Sequence, residues 1–252
     1  MDRIHIKKYM DISREKKPIL ICGLPGIGNI GRLAVDYIID KFDMKKVCDI
    51  YSTHLPAQVF VSPESIVSLP KNTLYFKELS KTRSILIFTG DFQGTTIEGQ
   101  YELSETILKM ASEMGVSEVY TLGGYGIGKI VENPRIIGAV TDAKMKKKLS
   151  SKGVIFSENE PGGGIVGSAG IILGMAGEFY NMEAACLMGE TPGFFTDPKG
   201  SIELIKALSK IVKFTIKLED LEERAKSIEQ ITEKMHGEVQ GKEQKEDLGY
   251  FV

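Results

Sequence analysis

The sequence is poor in the residues that most often mark a catalytic centre or a stapled fold. It holds no tryptophan, three cysteines and three histidines in 252 residues. The missing tryptophan excludes nothing. Cys22, Cys48 and Cys186 are odd in number, far apart and set among apolar neighbours. That argues against a disulfide framework or a paired-cysteine zinc site and for buried free thiols in a reducing cytoplasm. His5, His54 and His236 fall in separate regions, and neither an HExxH pair nor a Gly-x-Ser-x-Gly elbow occurs. The formal net charge of −2 lacks the basic excess that nucleic acid needs. No run reaches the roughly 18 apolar residues of a membrane span. The opening MDRIHIKKYMDISREKK has no continuous apolar segment of the secretory type. The expectation is a cytoplasmic protein with no nucleic-acid or membrane partner, no cofactor and no metal.

What is present is an ordinary globular composition, 42% hydrophobic and 26% charged, in a chain long enough for one sizeable core. Apolar runs at Pro18–Cys22, Val47–Ser52, Ser84–Thr89, Glu118–Leu122 and Glu183–Met188 read as strands. Arg135–Thr141 and Val154–Ser157 are strand-like as well. Helical spacing follows Gly31 and recurs over Glu98–Met114, Ile171–Phe179 and Lys199–Phe214. Gly115 is expected to stop its helix, and Asp142 to cap a lysine-rich one running to Ser150. Residues 54–77 read as loops and short strands, punctuated by Pro56, Pro63 and Pro70. Strands alternating with helices in this way predict an α/β fold with a mostly parallel sheet flanked by helices. The core is expected over residues 1–215.

Three glycine-rich turns stand where strands hand over to the next segment. The first, Gly26-Ile27-Gly28-Asn29-Ile30-Gly31, matches the GxGxxG dinucleotide fingerprint, with Asp49 near the distance expected of a ribose-binding acid. Two readings follow. In one, Gly26, Gly28, Gly31 and Asp49 hold a nucleotide; in the other, the glycines only allow a tight strand-to-helix turn to pack closely. The second turn, Gly123–Lys129, satisfies GxxxxGK, but Ile130 stands where a P-loop carries its Mg²⁺-binding hydroxyl. The third, Gly162–Gly167, offers an anion site at a helix start or, again, only a turn. Asp91 and Glu98 are either an acid pair at the sheet edge or a turn cap and a helix opener.

Beyond the core, Leu218, Leu221, Ala225, Ile228, Ile231 and Met235 form the apolar stripe of an amphipathic helix expected over residues 216–236. Residues 237–252 follow as a charged linker, GEVQGKEQKED, and an apolar tip, Leu248-Gly249-Tyr250-Phe251-Val252. Nothing in so polar a tether can bury that tip, so a partner is expected to.

The first glycine turn with its flanks, GLPGIGNIGRLAVDYI, together with THLPAQVF, GDFQ, TLGGYGIGK and the Pro-Gly-Gly-Gly turn, resembles the archaeal proteasome assembly chaperone family. The resemblance covers most of residues 18–215. It implies a Rossmann-like α/β fold similar to nucleoside phosphorylases, a homo-oligomer and no established enzymatic activity. It further implies docking of a C-terminal hydrophobic–Tyr–any-residue motif between α subunits of the 20S proteasome. The matching positions are Tyr250, Phe251 and Val252. Phe251 takes the tyrosine place and keeps the ring without the hydroxyl.

Overall fold

In the computed structural model, residues 3–223 and 225–226 are described. The chain divides into two compact units, Met1–Ile216 and Lys217–Val252. In the second unit, residues 219–223 and 225–226 are helical. The rest of the helix expected over 216–236, and the tail with Tyr250, Phe251 and Val252, lie outside the described residues.

The first unit begins with β1 (Ile4–Lys8) and β2 (Ile19–Gly23), then α1 (Ile30–Lys41) and β3 (Lys45–Ser52). The short strands β4 (Phe60–Val61) and β5 (Val67–Ser68) precede β6 (Asn72–Ser80), β7 (Arg83–Gly90) and α2 (Ile97–Glu113). Then come β8 (Glu118–Gly126), β9 (Ile136–Val140), α3 (Ala143–Ser150), α4 (Ser168–Glu178), β10 (Glu183–Thr191) and α5 (Pro198–Leu208). Eight strands form one sheet in the order β1-β3-β6-β7-β2-β8-β10-β9, and β4 pairs only with β5. The centre, β7-β2-β8-β10, is parallel, whereas β6, β1 and β9 run against it. Five of the eight strands (β2, β3, β7, β8 and β10) therefore share one direction.

The central strands are continuous apolar runs because helices cover both of their faces. On one side Leu20, Cys22, Leu86, Phe88 and Val119 meet Leu103 and Ile107 of α2 and Ile172 and Met175 of α4. On the other, α1 and α5 pack together over the strands. Ile30, Ala34 and Ile38, one turn apart, are fully buried there. Cap chemistry fixes the helix ends. Thr96 accepts from the Gly99 amide at 3.0 Å, Asp142 from Met145 at 2.8 Å and Asp197 from Lys199 at 3.0 Å. Gly115 closes α2 at φ +81°. The three cysteines are buried free thiols, and burial pushes Cys48 and Cys186 each up to about 11. No helix among the described residues is long and apolar enough to cross a membrane.

Three local expectations change. β1 lies in the stretch read only as charged, and β6 is a nine-residue strand that begins within the stretch read as loops and short strands and runs past its end. β8 runs on through Gly126, so Gly123, Gly124 and Gly126 are strand residues paired with β10 rather than a loop. A P-loop needs a free backbone cradle followed by a helix. At Gly123–Lys129 the ladder takes up the backbone, and no helix follows before β9.

Candidate functional site

The carboxyl ends of β7, β2 and β8 open into one cleft of about 720 Å³. All three glycine-rich turns reach it, through Gly26 and Gly31, through Gly123–Gly126 and through Gly164–Gly167. An open α/β sheet places its ligand sites at this edge. Gln93, just past the end of β7, ties two of the turns together. Its amide nitrogen donates to the Pro25 carbonyl at 2.6 Å, and its amide oxygen accepts from the Ser168 amide, the first residue of α4, at 2.9 Å. No pattern in the sequence marks this role beyond the place of Gln93 in the GDFQ segment.

The fingerprint glycines have distinct structural duties. Gly28 adopts φ +61°, the left-handed region that favours glycine. Gly31 lies against β8, where an added Cβ would overlap the Leu122 carbonyl oxygen and come within 2.8 Å of its carbon. A Cβ at Gly124 would overlap the Ile27 carbonyl. The turn thus folds down onto the strand end instead of standing clear of it. Its amides are partly consumed as well. Ile27 N–H donates to the Thr191 carbonyl and Asn29 N–H to Gly26, both at 2.9 Å. Gly26 alone of the three faces open space, with the Gln93 amide 3.8 Å from where its Cβ would stand.

Asp49 is not beside this turn. It sits in β3, three strands from β2, roughly 14 Å at the usual inter-strand spacing. Spacing along the chain suggested a ribose acid because in a dinucleotide fold the strand after the first helix pairs with the first strand. Here β7 and β6 intervene. The Asp49 carboxylate is instead buried in the sheet and accepts from Tyr9 and Lys71 at 2.9 Å and from Thr73 at 2.8 Å. Burial pushes the carboxyl up, but the hydrogen bonds from Lys71, Thr73 and Tyr9 outweigh it and hold it below its ordinary value.

The other candidates are also engaged. Asp91 accepts from the Lys71 amide at 3.0 Å and lies 3.9 Å from Arg32. Glu98 is in the first turn of α2, behind the Thr96 cap. His54 contacts Glu102 at 3.0 Å and Thr96 at 3.1 Å, bracing the start of that helix. At the end of β10, Glu190 is 4% exposed and accepts from the Arg135 side chain at 2.8 Å and its amide at 2.9 Å. Arg135 also reaches Glu160 at 2.9 Å. Among the described residues no group of three His, Cys, Asp or Glu side chains could hold a metal ion.

The residues lining the cleft include no Lys, Arg, His, Asp or Glu; its polar side chains are Gln93, Thr95, Gln100, Tyr125 and the thiols of Cys22 and Cys186. A phosphate would find no cationic side chain there, a poor match to its charge. Millimolar NAD or ATP is therefore expected to leave the thermal midpoint unchanged, since a ligand stabilises only in proportion to its occupancy. A saturable upward shift in a melting titration would contradict that.

The PAC2 family profile matches residues 20–236. MJ1210, an uncharacterized protein of Methanocaldococcus jannaschii, is 36% identical over 235 residues, covering 93% of this chain and 89% of that protein. Among solved structures, Pyrococcus furiosus PbaB, an archaeal proteasome activator, superposes with a TM-score of 0.87 at 35% identity, covering 94% of this chain and 100% of its own. PbaA of the same organism, an archaeal homolog of proteasome-assembly chaperone, shares the fold with a TM-score of 0.77 at 23% identity, covering 99% of this chain and 98% of its own. The chain belongs to the PAC2 family.

Proposed function

We propose that this protein is a cytoplasmic, homo-oligomeric, proteasome-binding protein of the assembly-chaperone type whose C-terminal tails dock on the α ring of the 20S proteasome. The observation that carries the reading is the similarity to the proteasome activator PbaB at 35% identity over 94% of the chain. The tail supplies the means. Tyr250, Phe251 and Val252 end a charged tether that cannot bury them. Each tail is a short motif of low affinity, but an oligomer presents several at once, and effective concentration raises the avidity. No catalytic step is part of this reading, and the uncharged cleft supports the structural role of Gly26, Gly28 and Gly31 over the nucleotide one.

Phe251 is the anchor expected to matter most, because a buried aromatic ring dominates a small interface. Titrating immobilised 20S particles with Phe251→Ala should show affinity at least about tenfold weaker than wild type, in line with an aromatic anchor. Phe251→Tyr should bind at least as well as wild type, since it adds the hydroxyl to the same ring. Wild-type affinity in Phe251→Ala would sink the docking mechanism.

A further inference from the structure

A cluster of exposed apolar side chains among the described residues lies outside the cleft. Between β3 and β6 the chain makes a small hairpin from β4 and β5, paired through Phe60↔Ser68 and Val61↔Val67. The Ser62 amide donates to the Ile66 carbonyl at 2.9 Å across its turn. Val59, Phe60, Val61, Ile66, Val67 and Leu69 are each between 39% and 68% exposed. Over the two faces of the hairpin together they present on the order of 600 Å² of apolar surface. Over residues 55–70 the single charge is Glu64. A two-stranded hairpin with such short strands is marginal on its own. One ring stack, Phe60 on Phe92 with centroids 6.1 Å apart, anchors its inner side. The outer edges of β4 and β5 have no strand partner among the described residues.

At the hairpin's base lies a groove of about 620 Å³. Leu55, Val59, Leu69 and Pro70 make its apolar wall, and Arg3 and His5 stand on its lining. We propose that the hairpin of one copy of this chain packs into the groove of a second copy, forming the contact that builds the homo-oligomer. Two observations choose a second copy as the occupant. Hairpin and groove are adjacent and both apolar, so one patch supplies both halves of a self-complementary contact. The patch with its groove rim also approaches the roughly 800 Å² per partner that a stable interface needs. Burying it would cover unpaired strand edges that otherwise invite indiscriminate pairing. This inference rests on the homo-oligomer of the reading above and adds where its copies meet.

The test is the mass in solution of the full chain and of the double variant Val61→Glu, Val67→Glu, by light scattering across 1–100 µM protein (on the order of typical oligomer affinities). Both positions are exposed, so the variant should keep the wild-type melting profile while its self-association weakens at least about a hundredfold. A second measurement uses the burial of all three native cysteines. Glu64→Cys and Gln58→Cys proteins should form a disulfide-linked pair under mild oxidation when mixed, because the hairpin turn of one meets the groove of the other. A variant that keeps the wild-type mass, or a mixture that gives no cross-link, overturns the proposal. A double variant with wild-type mass but lost 20S binding also overturns it, by assigning the hairpin to the proteasome. A monomeric wild type overturns it too and removes the oligomer from the functional reading. Loss of binding in Phe251→Ala with the oligomer intact bears on the tail alone.

Discussion

Gly31→Ala is expected to cost about 3 kcal/mol of stability, at the upper end of the usual overpacking range because backbone opposes backbone. The new methyl group would overlap the Leu122 carbonyl of β8, which is fixed by its ladder to β2 and β10. Helix α1 cannot retreat to make room. Its Gly31 carbonyl already lies where a Cβ of Gly23 would stand, and Ile30, Ala34 and Ile38 are fully buried beneath α5 and the sheet. At this chain length the loss corresponds to a midpoint lower by about 6–12 °C. Gly26→Ala is the contrast. Its backbone is extended, at φ −167°, and its Cβ would meet nothing closer than the Gln93 amide. It should melt within about 2 °C of wild type, as surface substitutions usually do. Thermal unfolding of the two variants separates a turn whose glycines pack from one whose glycines hold a ligand. Gly31→Ala melting like wild type would contradict the packing role.

Arg135→Ala is the second large effect. Arg135 bridges Glu190 and Glu160, and Glu190 is 4% exposed at the end of β10. Burial pushes the Glu190 carboxyl up, but hydrogen bonds from the Arg135 side chain and amide outweigh it and hold it low. Removing the guanidinium leaves a buried carboxylate without its counter-charge, which in a fully buried pair costs about 3–5 kcal/mol. The Arg135 side chain is 43% exposed, so water replaces part of the interaction, and about 2 kcal/mol is the expected loss. The pH dependence has a definite sign. A carboxyl held low in the folded state adds stability above its unfolded value, about 4.3, and loses it as pH falls through its folded value. The deficit of Arg135→Ala should therefore be present at neutral pH and shrink on acidification, beginning where the unpaired Glu190 of the variant takes up its proton and ending where the paired one of the wild type does. Urea unfolding at a series of pH values measures it, and a deficit independent of pH would assign the loss to packing instead of charge.

Much of the core was readable because its signals are local. The buried strands β2, β7 and β10 are apolar runs, and α2 carries both an acidic first turn and a glycine stop, Glu98 and Gly115. Asp142 caps α3 as its place before a helical pattern suggests. β1 was not readable because it is an edge strand with little burial, so no alternation marks it. β6 hides behind Pro70 in a proline-punctuated stretch. The end of β8 reads as a turn because glycine in a strand and glycine in a loop look alike in sequence. Gly124 pairs with Gly189 in the ladder, and it is a glycine because a side chain there would overlap the Ile27 carbonyl.

The site shows the same division between local and non-local information. Gly26, Gly28 and Gly31 announce a strand-to-helix turn unaided. Strand order is set by pairing across the whole chain, so spacing alone could not reveal that Asp49 is carried away from that turn. Gln93 joins the turn to α4 through two amide contacts, and a lone glutamine has no pattern that announces this. The apolar hairpin was visible only as proline-bounded residues, since exposure is a property of the fold.

The proposed tail docking depends on Tyr250, Phe251 and Val252, and co-sedimentation with purified 20S particles tests it most directly. The full chain is expected to travel with the particle. The same protein lacking Tyr250–Val252 should remain in the supernatant while keeping its melting midpoint and oligomeric mass. Equal co-sedimentation of the truncated protein would contradict tail docking and move the proteasome contact to the core.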